Sequence, residues 1–78
     1  MKPENLILNS KNMDLINCTV KLADFGLATF ASCETYLFKR CGTPGFVAPE
    51  IISADAKVDV KFTPKCDVFG CGVIFYIL

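Results

Sequence analysis

The chain has 78 residues, of which 53% are hydrophobic and 21% charged, and its formal net charge is zero. This balance gives no basic surface, so we predict no nucleic-acid partner. The sequence contains no histidine, which excludes Ser-His-Asp catalysis and histidine-based metal sites. A free-standing domain of this size usually carries more surface charge, so the composition is typical of the interior of a larger protein.

The cysteines and the longest apolar run exclude two further classes of protein. The five cysteines are odd in number and lack CxxC spacing, so they predict neither a zinc site nor a disulfide framework. With no secretory signal ahead of them, we expect reduced thiols in a cytoplasmic protein. The apolar run 68–78 is shorter than the roughly 20 residues that a membrane span needs, so we predict no span.

Two short apolar runs in the first part of the chain predict a β-hairpin. Residues 5–9 form an apolar run with polar ends, which is typical of a strand. In the second run, 18–23, the apolar residues Cys18, Val20 and Leu22 alternate with polar ones, which is the period of a strand. We expect the two strands to pair through a long loop.

The rest of the chain predicts a long loop followed by two helices. Residues 24–45 show no period and are interrupted by glycine and proline, and a loop this long is usually functional or disordered. A short helix is predicted over 49–53 and a surface connection over 54–61.

The last element is a second predicted helix over 64–78, with Thr63 as its N-cap and Pro64 at its first position. After Asp67 this helix is apolar on nearly every face. Such a helix belongs in the interior of a protein.

Three short motifs follow one another at the ends of these elements. Lys2-Pro3-Glu4-Asn5 enters the first strand, Asp24-Phe25-Gly26 leaves the second, and Ala48-Pro49-Glu50 follows Gly42-Thr43-Pro44. Each motif alone is weak, because a single Asp24 is most often a solvated turn carboxylate and a single Asn5 a loop or cap residue. Their order, spacing and strand context together resemble the signature set of eukaryotic-type Ser/Thr protein kinase catalytic domains. Lys-Pro-Glu-Asn is similar to Ser/Thr kinases rather than tyrosine kinases, and the whole sequence resembles the calmodulin- and calcium-dependent group.

The resemblance covers residues 1–78 and implies a fold. It implies an α+β fragment of the kinase C-lobe, made of a β-hairpin, the activation segment and the start of the central apolar helix. The expected domain content is a partial kinase domain, from the end of the catalytic loop to that helix, with no complete domain.

The resemblance also implies a metal and nucleotide site. Asp24 and Asn5 would supply oxygen ligands to the Mg²⁺ ions of ATP, which as hard cations prefer oxygen. Lys2 would be catalytic by offsetting the charge of the transferred phosphoryl group, and its alternative interpretation is a solvated loop lysine. Gly26 would let the backbone turn beside the cofactor.

Five further residues receive structural or regulatory roles from the resemblance. Phe25 would pack inward and set the active or inactive state. Thr43 would bond towards the catalytic loop, with an ordinary turn threonine as the alternative. Glu50 would pair with an arginine that this chain does not contain. Asp67 would bond catalytic-loop backbone, or be a first-turn carboxylate favoured by the helix dipole. Thr35 is the predicted regulatory phosphosite.

The implied parent enzyme transfers the γ-phosphate of ATP to serine or threonine of a protein substrate. In such kinases the catalytic aspartate immediately precedes the residue that Met1 occupies, and the nucleotide-gripping lobe is not in these 78 residues. We therefore expect the chain alone to be inactive and unstable. Two alternatives stay open: a non-catalytic kinase remnant that docks on other proteins, and a short membrane or interaction peptide with accidental motifs. The intact Asp24 and Asn5 favour descent from an active enzyme.

Overall fold

The computed structural model describes residues 1–9, 16–33, 41–54 and 62–78. The elements in chain order are a 3-10 turn (Pro3–Asn5), strands β1 (Leu6–Asn9) and β2 (Thr19–Leu22), and helices α1 (Pro49–Ile52) and α2 (Lys65–Ile77). An antiparallel two-stranded sheet followed by helices confirms the predicted α+β class. None of the helices in these segments is long and apolar enough to cross a membrane.

Strands β1 and β2 form the predicted hairpin. They pair antiparallel, with Leu6 opposite Leu22 and Asn9 opposite Thr19. Strand β1 begins one residue later than the predicted run, because Asn5 belongs to the 3-10 turn and its N–H donates to the Lys2 carbonyl at 3.1 Å. Strand β2 is shorter than its predicted run by one residue at each end. Most of the loop that joins the strands lies outside the described residues.

The described parts of the predicted long loop, 24–33 and 41–45, hold turns and neither helix nor strand. One turn runs from Thr43 to Phe46, where the Phe46 N–H donates to the Thr43 carbonyl at 3.1 Å. Its central residues are Pro44 and Gly45, and Gly45 has φ +90. Proline followed by a positive-φ glycine is the signature of a type II turn.

The two helices begin at prolines in different ways. Helix α1 begins at Pro49, whose missing N–H and fixed φ suit a first helical position. Helix α2 begins at Lys65, one residue later than predicted, and Pro64 takes the N-cap position without a side-chain cap. The predicted Thr63 N-cap is wrong, since Thr63 contributes its carbonyl, which accepts the Cys66 N–H at 3.1 Å.

The buried hydrophobic residues of the described segments are few and small. They are Ala48, Ala54 and Ile74, with exposed fractions of 1%, 3% and 9%. The burial of Ala54 corrects the expectation of a surface connection at this position; the rest of that predicted connection lies outside the described residues.

Helix α2 buries one narrow stripe against the rest of the described chain. The stripe contains Gly70 and Ile74, which are four residues apart and so lie on one face. Most of the other apolar side chains of the helix are exposed, among them Val68, Phe75, Tyr76 and Ile77. The helix is thus apolar beyond the face that it buries, as the sequence predicts.

Candidate functional site

One cleft of about 600 Å³ lies where the end of the hairpin, the turn at Thr43 and the start of α2 meet. Six of the predicted site residues line it: Lys2, Asn5, Asp24, Phe25, Thr43 and Asp67. They come from four separate segments of the chain, so the fold and not sequence proximity brings them together. Gly26 and Glu50 do not line the cleft, and Thr35 lies outside the described residues.

The hairpin places Asn5 and Asp24 at the same end of the sheet. Beyond the last strand pair, the Ala23 N–H donates to the Asn5 carbonyl at 2.8 Å, which continues the ladder by one residue. Asp24 is the next residue in the chain, so its backbone leaves the ladder beside Asn5. The antiparallel register fixes this pairing. A change of the register by one residue would move Asn5 and Asp24 out of their present alignment.

Asp24 has an unusual backbone conformation that a bond to Gly26 supports. Its φ is +61, which makes it the one non-glycine residue in the left-handed region among those described. Aspartate tolerates this region better than most residues because its short side chain bonds locally. Here Oδ1 of Asp24 accepts the Gly26 N–H at 3.2 Å. Strained residues of this kind cluster at functional sites, and the bond fixes the direction of the carboxylate.

The oxygen donors of the cleft fit a magnesium ion that is carried by phosphates. Magnesium is usually held by one or two carboxylates together with phosphate oxygens and water. Asp24 is exposed and Asn5 is half-buried, and both line the cleft. A carboxylate and an amide oxygen at one end of a hairpin therefore suit this ion.

Lys2 is held three residues before Asn5 by the 3-10 turn. Its own backbone is extended, with φ −147 and ψ 155, and its carbonyl accepts the Asn5 N–H. The side chain is half-buried and lines the same cleft as Asp24. The cleft that Asn5 and Asp24 line with oxygen donors is therefore also lined by the cationic residue Lys2.

Phe25 and Thr43 line the cleft, but their exposure and hydrogen bonding do not test their predicted roles. Phe25 is 66% exposed, so the described residues do not give it the predicted inward packing. Thr43 is half-buried and accepts the turn bond with its backbone carbonyl, which is the geometry of a turn threonine. The switching role of Phe25 and the hydroxyl role of Thr43 stay predictions.

Asp67 faces the start of the chain from the first turn of α2. Its Oδ1 is 3.8 Å from the backbone nitrogen of Met1, the residue before Lys2. This separation is too long for a hydrogen bond, and the carboxylate is exposed, so the pair contributes little to stability. The predicted bonding of Asp67 to catalytic-loop backbone stays a prediction.

Two residues of α2 lie outside the predicted site set: Cys66 lines the cleft, and Gly70 packs against Met1, which lines it. Gly70 packs so closely on Met1 that a Cβ there would lie 2.9 Å from the Met1 carbonyl oxygen. The sequence shows that Gly70 shares a helix face with Asp67, three residues before it, but not that this face contacts Met1.

Cys66 lines the cleft beside Asp67. Burial raises the pKa of the Cys66 thiol, and the negative charges of Asp67 and Glu50 raise it further. A thiol with a raised pKa stays protonated at neutral pH, so it is a poor nucleophile. Glu50 itself is exposed on α1, and its predicted arginine pairing stays a prediction.

The cleft combines a carboxylate, an amide oxygen and a lysine, which are groups that suit metal-bound phosphates. The family model for the protein kinase domain matches residues 1–78. The chain therefore belongs to the protein kinase family.

Three curated relatives match the whole of this chain. They are a probable myosin light chain kinase of Dictyostelium discoideum (37% identical), sucrose non-fermenting protein kinase 1 of Fusarium virguliforme (40%), and the serine/threonine protein kinase OSK3 of Oryza sativa subsp. indica (44%). The chain spans 24%, 10% and 13% of their respective lengths. No solved structure matches it. The predicted assignment to the Ser/Thr kinase family is confirmed.

Proposed function

We propose that these residues form the metal- and phosphate-facing part of a protein kinase that transfers the γ-phosphate of ATP to serine or threonine of a protein substrate. The observation that carries the proposal is the cleft, which Lys2, Asn5 and Asp24 line together. The left-handed backbone of Asp24 and the bond from the Gly26 N–H fix the direction of its carboxylate. The family match supports it over all 78 residues.

Phosphoryl transfer depends mainly on positioning and on electrostatic stabilisation, because there is little covalent chemistry for the protein to do. Bound Mg²⁺-ATP would supply the phosphoryl group and the metal charge that neutralises it. Asp24 and Asn5 would hold the metal. Lys2 offers its cation on the same side of the cleft, where it offsets negative charge on the phosphoryl oxygens.

The proposal also assigns places in the kinase domain to the remaining segments. The 3-10 turn ends the catalytic loop, residues 24–50 form the activation segment, and α2 begins the central helix of the C-lobe. Thr35 in the activation segment is the proposed phosphosite, and phosphate there needs arginine partners to order the loop. We propose a cytoplasmic location for the protein.

Asp24→Asn in the protein at its natural length tests the proposal. Asparagine tolerates the left-handed region and can keep the bond from Gly26, so this change isolates the negative charge. We expect phosphorylation of a protein substrate on serine and threonine by the wild type. We expect a loss of more than about 100-fold in Asp24→Asn, because the electrostatic contribution to the transition state is removed.

Lys21→Gln is the matched control, since Lys21 is an exposed charged residue of β2 that does not line the cleft. It should keep wild-type activity. A wild type that binds protein partners without transferring phosphate would instead support the non-catalytic docking module. Equal activity in Asp24→Asn and Lys21→Gln would contradict the assigned role of Asp24.

A further inference from the structure

Helix α2 packs closely against the start of the chain at Gly70. A Cβ built there would lie 2.9 Å from Met1 Cβ, 2.9 Å from the Met1 carbonyl oxygen and 3.3 Å from the Met1 nitrogen. Real Cβ atoms essentially never lie closer than 3.0 Å to such an atom. Two of the three atoms belong to the backbone, which cannot move aside as the end of a flexible side chain can.

The contact is linked to the cleft by short covalent and hydrogen-bonded steps. Met1 is bonded to Lys2, and the Lys2 carbonyl accepts the N–H of Asn5. The Asn5 carbonyl in turn accepts the N–H of Ala23, the residue before Asp24. A displacement of Met1 therefore moves Lys2 directly and is passed on to Asn5.

A second contact lies one turn earlier on the same helix face. Asp67 places its Oδ1 3.8 Å from the Met1 nitrogen. Glycine is unfavourable in a helix interior, so local propensity does not account for Gly70. The close approach of α2 to Met1 does account for it.

We propose that Gly70 is a positioning residue for Lys2: the missing side chain lets α2 seat against the backbone of Met1 and so sets the depth of Lys2 and Asn5 in the cleft. The inference rests on the proposed function, because its main consequence is in phosphoryl transfer. It concerns a residue outside the three motifs, and one that does not line the cleft.

A size series at Gly70 tests the proposal in the protein at its natural length. Gly70→Ala adds one carbon atom and Gly70→Val adds three. The matched control is Cys71→Val, which places the same β-branched side chain at the next, exposed position of α2. Valine has a better helix propensity than glycine, so helix weakening cannot explain a loss in Gly70→Val.

We expect a graded loss of kcat, slight for Gly70→Ala and about 10- to 100-fold for Gly70→Val, which is the size of effect that a misplacement of about 1 Å produces. The KM for ATP should stay within about 2-fold, because the nucleotide ligands other than Lys2 are less displaced than Lys2 itself. Amide hydrogen exchange should become faster at residues 2–6 in both Gly70 variants but not in Cys71→Val. A merely structural role would lower Tm without splitting kcat from KM.

The outcomes separate this inference from the proposed function. A wild type without phosphotransfer refutes the proposed function, and the exchange comparison then still tests the contact. Equal kcat and equal exchange in Gly70→Val and Cys71→Val overturn the positioning role. If Gly70→Val does not fold, Gly70→Ala replaces it, because its Cβ alone lies 2.9 Å from the Met1 carbonyl oxygen. Wild-type kcat and exchange in Gly70→Ala would then overturn the proposal.

Discussion

The cleft and the outer faces of α2 differ in the interactions that the described residues make there. In the cleft, hydrogen bonds between residues two or three apart fix the positions of Lys2 and Asp24 and of the turn at Thr43. In α2 the backbone bonds are made within the helix, while large apolar side chains such as Phe75 and Tyr76 stand exposed. The backbone conformation at these site residues is therefore fixed by local bonds, whereas the stability of the chain depends on burial that the described residues do not provide.

The buried side chains show how large this difference is. Of the three buried hydrophobic residues in the described segments, two are alanines and the third is Ile74. Full burial of one large aliphatic side chain stabilises a protein by roughly 1.5–3 kcal/mol. Short turns do not replace that contribution, since a net hydrogen bond contributes only about 1 kcal/mol.

The largest expected effect concerns the 78-residue chain by itself. We expect it to unfold without a cooperative thermal transition and to bind a hydrophobic dye or aggregate, because a large apolar patch stays exposed. Circular dichroism during heating and dye fluorescence at several concentrations check this. A single cooperative transition, independent of concentration, would contradict the contrast between the two regions.

The second prediction compares two phenylalanines of equal exposure in the protein at its natural length. Phe75 on α2 is 83% exposed and Phe30 in the loop after Asp24 is 84% exposed. If α2 is the central helix of the C-lobe, other segments bury Phe75, and Phe75→Ala costs about 3–5 kcal/mol.

Phe30→Ala is the matched substitution and should cost less than about 1 kcal/mol, as surface changes usually do. Urea denaturation of both variants measures the free energies of unfolding. Equal small losses would place α2 on the surface and contradict the central-helix assignment.

Much of the hairpin and part of the site could be predicted from the sequence. The alternation at Cys18, Val20 and Leu22 gives the period of a strand, and the motifs stand at its ends. Because antiparallel pairing then follows, Asn5 and Asp24 are expected at one end of the sheet. These features depend on neighbours in the sequence, which is why local pattern predicts them.

The features that the sequence did not predict depend on packing between distant segments. The contact of Gly70 with Met1 joins residues nearly the full length of the chain apart, and no periodicity reports it. The burial of Ala54 likewise follows from what packs against it. The start of α2 was misplaced by one residue because Thr63 can cap a helix with its hydroxyl or, as here, accept a turn bond with its carbonyl.

The smallest predicted effect concerns the backbone strain of Asp24 in the left-handed region. Alanine in the left-handed region costs about 1–2 kcal/mol, whereas asparagine tolerates it and can also accept the Gly26 N–H. We therefore expect Asp24→Ala to be about 1–2 kcal/mol less stable than Asp24→Asn. Both variants lack the carboxylate, so its loss cancels in the comparison.

Urea denaturation of the protein at its natural length, without Mg²⁺, measures the difference free of ligand linkage. Asn9→Ala on β1 is the control, because it makes the same asparagine-to-alanine change at an exposed residue outside the positive-φ region. It should cost less than about 0.5 kcal/mol, as exposed substitutions usually do. An equal cost at both positions would show that Asp24 is unstrained, and the cleft would then owe its geometry to the hydrogen bonds alone.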